Sequence, residues 1–411
     1  MTDTERSGSA VPQEALAEAT VSRRRPAIGL PKCQNPAEKR FPLTPEAVGV
    51  LTREGFSVIM EGGAGESIHY SDNAYVKAGA RIATRRDTLG ADIVIHLAPL
   101  AVADIRQLCR GAVLLTLANF NRGQAREVVE ELVKRRVVNI AIDLIADERG
   151  NHPFGDILSE INGRSAMTIA SGMLADPVNG KGILLGGIAG VIPCEVTVIG
   201  SCLAAMAAAR SAMGLGAVVR LFDDDVYRLR TAIRQLGGGV IGSSVHPHAL
   251  ENALRTADVI VVSDRTRPLP LEGNTECLLK KKVLVFDLSN SPGVAFPGMR
   301  EVDLGEIDAE KASTCSSFAL YNAAASLCGN RRTCFVNPGS AVPRTTAMAL
   351  SDTFVTLLGQ IAPRDGQGAL TPLCKGVEEA TLTYMGKVVN ERVAELAGMR
   401  FTDIRLLMSL S

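Results

Sequence analysis

The residues from Val196 to Asp223 read VTVIGSCLAAMAAARSAMGLGAVVRLFD, and their order decides the fold. Four apolar or β-branched residues, Val196 to Ile199, run into Gly200, the composition of a buried strand meeting a tight turn. Leu203, Ala204 and Ala207 to Ala209 then have the composition of a helix, Gly214-Leu-Gly216 ends it, and Val218 to Phe222 begins a second strand that stops at Asp223. A strand, glycine turn, helix and strand, closed by an acid 23 positions after the first glycine, outline a dinucleotide-binding unit. The fingerprint asks for G-x-G-x-x-G, and the chain supplies Gly200-Ser201-Cys202-Leu203-Ala204-Ala205. Gly200 keeps the tight turn, and Ala205 is an accepted stand-in for the third glycine. Cys202 is the departure. It puts a side chain where backbone should approach a pyrophosphate, which predicts a shifted or weakened cofactor.

On the N-terminal side, short apolar runs alternate with helical stretches: Ala27 to Pro31, Phe56 to Met60, Ala91 to Leu97, Ala112 to Leu117 and Val137 to Ile145 as strands. Between them, Thr44-Pro45 and Ser71-Asp72 start helices, and further helices are expected over about Val102 to Cys109 and Ala125 to Arg135. On the C-terminal side, Val226 to Leu236 reads as a helix, and Ala257 to Val262 and Lys282 to Asp287 as strands. After Pro343-Arg344-Thr345, Ala347, Leu350, Phe354, Leu357 and Ile361 recur at helical spacing. The expected fold is α/β, with two doubly wound parallel-sheet (Rossmann-like) domains and a cleft between them. Residues 1–26 read as a disordered tail, 27–152 as a substrate domain, 153–342 as a dinucleotide-binding domain, and 343–411 as helices returning to the first domain.

The composition narrows the function classes. Lys+Arg and Asp+Glu are both 44 in 411 residues, so no global field draws nucleic acid or an anionic membrane, and a small charged or zwitterionic ligand must be recognised locally. Nine cysteines without a C-x-x-C pair or zinc spacing argue for a reducing, cytoplasmic setting and against a metal site. No run of about eighteen apolar residues marks a membrane span. Ser22-Arg-Arg-Arg25 reads as a solvated basic tip, and His246-Pro-His248 as a solvated loop.

Ligands of parallel sheets sit beyond the carboxyl ends of the strands, which selects Lys32 to Arg40, His96 to Pro99 and Asn119 to Asn121 as the first domain's crevice. The stretch Lys32-Cys-Gln-Asn-Pro-Ala-Glu-Lys-Arg40-Phe-Pro-Leu-Thr-Pro45 resembles the opening of the alanine dehydrogenase and nicotinamide nucleotide transhydrogenase (alpha subunit) family, whose pattern is P-K-E…E-x-R-V-A-L-T-P. Glu61-Gly-Gly-Ala-Gly65, Ser159-Glu-Ile-Asn-Gly-Arg164, Gly186-Gly-Ile-Ala-Gly190-Val191 and Asn337-Pro-Gly-Ser-Ala-Val-Pro-Arg-Thr345 continue the resemblance in order, from Ala27 to the end.

The resemblance implies an NAD-linked oxidoreductase that interconverts L-alanine and pyruvate or a related pair, a small carboxylate or amino-acid substrate, and a homo-oligomer. Arg40 falls at the family's carboxylate-binding arginine, and a planar fork of donors suits a carboxylate. The alternative is a salt bridge to Glu38 or Glu46. The family's lysine, histidine and aspartate fall on Ala98, Asn119 and Ser291; Ala98 and Ser291 hold no proton near neutral pH, and Asn119 is a candidate to orient a carbonyl without exchanging a proton. His96 is a candidate substitute, against the plainer reading of a polar residue closing a strand. Asp223 resembles the acid that binds the adenine ribose and favours NAD, against the alternative of a helix N-cap. Ser159 and Asn337 resemble cofactor-contacting positions, beside Gly200, Ser201, Cys202 and Ala205. The losses keep two other readings open: a catalytically silent paralogue that binds a nucleotide or carboxylate, and a transhydrogenase-like hydride donor.

Overall fold

Strands of unbroken valine, isoleucine and leucine need apolar cover on both faces, and this chain builds two such sheets. A computed structural model describes residues 25–120, 124–263, 268–271, 278–289, 292–306, 333–361 and 375–408. Most of the expected tail, Asn121 and Ser291 lie outside the described residues. In chain order the strands are β1 (Ala27–Leu30), β2 (Ser57–Glu61), β3 (Arg81–Ala83), β4 (Ile93–Ile95), β5 (Val113–Thr116), β6 (Val138–Ala141), β7 (Glu195–Ile199), β8 (Val218–Asp223), β9 (Val240–Ser244), β10 (Val259–Val262), β11 (Leu284–Asp287), β12 (Arg300–Asp303), β13 (Thr333–Val336), β14 (Thr381–Tyr384) and β15 (Lys387–Val388).

The first sheet runs β15-β14-β6-β5-β4-β1-β2-β3 and the second β12-β13-β11-β10-β7-β8-β9. All pairings are parallel except those of β14 with β6 and with β15. The strand order reverses beside β1 in the first sheet and beside β7 in the second, and a doubly wound sheet leaves a ligand crevice at each such point. The fold class read from the sequence is therefore the one observed.

Helix Pro45–Arg53 starts on Thr44, whose hydroxyl accepts from Ala47 N. The expected strand through Ile145 stops instead at Ala141 and tightens into a 3-10 turn, Ile142–Leu144, while the helix expected to reach Cys109 ends at Ile105. The return segment is more than helices, because it adds β14 and β15 to the edge of the first sheet. Helix Pro343–Ile361 buries Ala347, Leu350, Phe354, Leu357 and Ile361 in the core of that domain.

The 23-residue helix Pro153–Ala175, which the apolar pattern did not single out, joins the two halves. Its Phe154 ring meets Phe354 with centroids 4.8 Å apart. At Gly163 a Cβ would lie 2.2 Å from the Ala204 carbonyl oxygen, so this position admits only glycine, and the alanine-rich helix Leu203–Gly214 packs directly against it.

Candidate functional site

A cavity of about 630 Å³ opens between the two domains, at the carboxyl ends of β1, β5, β11 and β13. From the first domain, Glu38, Arg40, Ala98, Asn119, Asp143 and His152 line it; from the second, Asp287, Ser289, Glu301, Asp303 and Asn337. Ser159 of the connecting helix lines it too. Backbone staples hold the two walls: Ser340 Oγ donates to Ala37 O at 2.7 Å and accepts from Lys39 N at 3.1 Å.

Arg40 and Glu38 form a two-bond ion pair at the cavity wall. Arg40 Nε lies 2.7 Å from Glu38 Oε1 and Nη2 lies 2.5 Å from Oε2. Burial opposes the guanidinium charge, but Glu38, with Asp303 and Asp143 further off, holds Arg40 above its ordinary pKa.

Asp143 was not singled out from the sequence. The 3-10 turn after β6 carries it to the cavity, where its Oδ1 accepts from Ala118 N at 2.8 Å. Burial pushes its carboxyl above the usual range, against that hydrogen bond and the pull of Arg40. Burial likewise raises Asp287, whose oxygens accept from Ser289 N, Ser289 Oγ and Gly293 N. No local pattern marks Asp143, Glu301 or Asp303, since only the meeting of the two domains puts them together.

His96 stands apart from the cavity lining. Only 5% exposed, it sets Nδ1 2.6 Å from Ala98 O, while its Nε2 is buried with no partner among the described residues. Burial pushes this imidazole below its ordinary value, so the ring is neutral. Asn119 adopts a left-handed backbone, φ 43°, and its amide donates to Leu97 O and Leu117 O at 3.2 and 3.1 Å. Both of its donors are thereby committed to the strand ends.

The glycine turn forms a second locus, beyond β7 and β8. Gly200 lies at φ +98°, and a Cβ there would sit 2.4 Å from Ser263 O. Helix Leu203–Gly214 begins behind Cys202, whose side chain makes no capping bond and packs against the apolar cluster of the domain. Among the described residues no side chain caps the first helical N–H groups, so the turn fits a pyrophosphate. Ala205 is fully buried where this helix packs. Ser201 Oγ donates to Asp223 Oδ2 at 2.5 Å, and Asp225 N to Asp223 Oδ1 at 2.8 Å. The helix N-cap is Asp225, not Asp223, since it accepts from Tyr227 N and Arg228 N. Asn337, at φ 54°, donates to Asp303 Oδ1 and Ala37 O.

No helix among the described residues is long and apolar enough to cross a membrane, and none of their His, Cys, Asp and Glu side chains cluster as a metal site. Residues 29–161 match the family model "Alanine dehydrogenase/PNT, N-terminal domain", and residues 166–269 match "Alanine dehydrogenase/PNT, C-terminal domain". The chain is 27% identical to an alanine dehydrogenase of Mycolicibacterium smegmatis, over 92% of this chain and 98% of the relative. It is 29% identical to one of Geobacillus stearothermophilus, over 93% and 99%. Among solved structures, an L-alanine dehydrogenase matches with a TM-score of 0.74 and 22% identity, over 90% of this chain and 98% of the other. A transhydrogenase from Sinorhizobium meliloti matches with a TM-score of 0.66 and 19% identity, over 89% and 99%.

Proposed function

The chain belongs to the alanine dehydrogenase/PNT family, and from that premise we propose that it is an NAD-linked oxidoreductase whose substrate is a small amino or 2-oxo acid held between the two domains. The observation that carries this reading is the presence of Arg40 and Asp143 in one cavity. Its pair with Glu38 occupies Nε and Nη2 of Arg40 and leaves Nη1 to meet a ligand carboxylate. Asp143, its carboxyl raised by burial, places a titratable group in the cavity beside Ala98 and Asn119, the positions where the resemblance puts the family's lysine and histidine. The acidic side chains around it suit the ammonium end of an amino acid.

A nicotinamide, when bound, accepts or returns the hydride. The chain's part is to bind the pyrophosphate at the Gly200 turn, to orient the substrate carboxylate with Arg40, and to move a proton at the Asp143 carboxyl. The free thiols of Cys33, Cys109, Cys194, Cys202 and Cys334 suit a reducing compartment. Burial pushes the Cys33 thiol up to about 11, which disfavours its thiolate.

The catalytically silent reading draws on a different observation: His96 is not among the residues lining the cavity, and Asn119, which is, commits its amide donors to two carbonyls. Titration with NADH, followed by assays of pyruvate and other 2-oxo acids with ammonia, separates the two. Binding with turnover supports the oxidoreductase reading; binding with no turnover across the panel supports the silent one.

A further inference from the structure

We propose that Ser201 sets how the chain engages the adenosine half of a dinucleotide: its hydroxyl caps Asp223, so the site holds the adenosine ribose weakly. This rests on the cofactor reading above. An acid at the end of the second strand serves a dinucleotide by accepting from the ribose hydroxyls. Here Asp223 is 6% exposed, and both of its oxygens already have donors, Ser201 Oγ at 2.5 Å and Asp225 N at 2.8 Å. Arg228 Nε lies a further 4.0 Å from Oδ2.

Ser201 directly follows Gly200, so its bond to Asp223 spans the space between the ends of β7 and β8. That space is where the fold carries the adenosine ribose. A carboxylate has about four acceptor positions, so the diol is not shut out. It must share Oδ2 with Ser201 or turn the serine hydroxyl away, which gives up a charge-assisted hydrogen bond. Cys202 is a lesser obstacle than the glycine fingerprint implies, because its side chain packs against the apolar cluster.

Calorimetric titration of the full chain and of Ser201→Ala, Ser201→Gly and, as a comparison, Cys202→Ala with ADP-ribose, NADH and nicotinamide mononucleotide tests the assignment. Both Ser201 variants are expected to bind ADP-ribose and NADH about tenfold more tightly than the parent, which is about 1.4 kcal/mol. Affinity for nicotinamide mononucleotide, which lacks the adenosine ribose, stays unchanged. Equal or weaker binding of ADP-ribose by both Ser201 variants overturns the role of Ser201 and leaves the cofactor reading standing. A gain seen only in Cys202→Ala also overturns it and moves the determinant to Cys202. If none of the folded proteins binds NADH or ADP-ribose, the cofactor reading falls with it.

Discussion

Arg40 and Glu38 pair through two hydrogen bonds at the cavity wall, with side chains only 9% and 8% exposed. A buried pair broken on one side leaves the other charge unsolvated, which costs about 3–5 kcal/mol. Arg40→Ala is therefore expected to lower the unfolding free energy from denaturant titration by an amount in that range, besides weakening any carboxylate ligand. A loss below about 1 kcal/mol would place the pair among exposed salt bridges.

Gly200 turns with φ +98° against the Ser263 carbonyl. Gly200→Ala adds both backbone strain and a steric clash, so a loss of about 1–3 kcal/mol from strain alone is expected, together with loss of NADH binding. Melting curves and NADH titration of the variant check this, and an unperturbed variant would show that the turn tolerates a side chain.

His96 gives the pH dependence a definite sign. Its folded pKa lies below the ordinary value of about 6.5, so the unfolded chain binds a proton that the buried ring refuses. Its contribution is complete above that ordinary value and is lost as pH falls toward the folded one, by up to about 1.4 kcal/mol per pH unit. Urea midpoints at neutral and mildly acidic pH should fall more steeply for the parent than for His96→Gln. Parallel slopes would remove His96 from the account.

How much of this was legible in the sequence depends on how local each feature is. The turn at Gly200, the helix at Val226 and the buried face of helix Pro343–Ile361 follow from residues a few positions apart, and the pattern placed them. Asp143 escaped because a run of apolar residues reads as one long strand until the 3-10 turn breaks it. Glu301 and Asp303 reach the cavity from the other sheet, and no spacing rule joins residues so far apart in the chain. Of three successive acids, composition alone could not tell which one caps the helix; geometry gives that task to Asp225 and leaves Asp223 to Ser201.

The role of Asp143 is read from the rate of NADH oxidation with 2-oxo acids and ammonia, measured for the parent chain and for Asp143→Asn across pH. Asparagine keeps the acceptor that Ala118 N uses but carries no proton to exchange. Measurable turnover is expected in the parent and a fall of about 10²–10⁴ in the variant, with NADH affinity retained. An undiminished rate in Asp143→Asn, or a parent that binds NADH yet turns over none of the acids, would contradict that role.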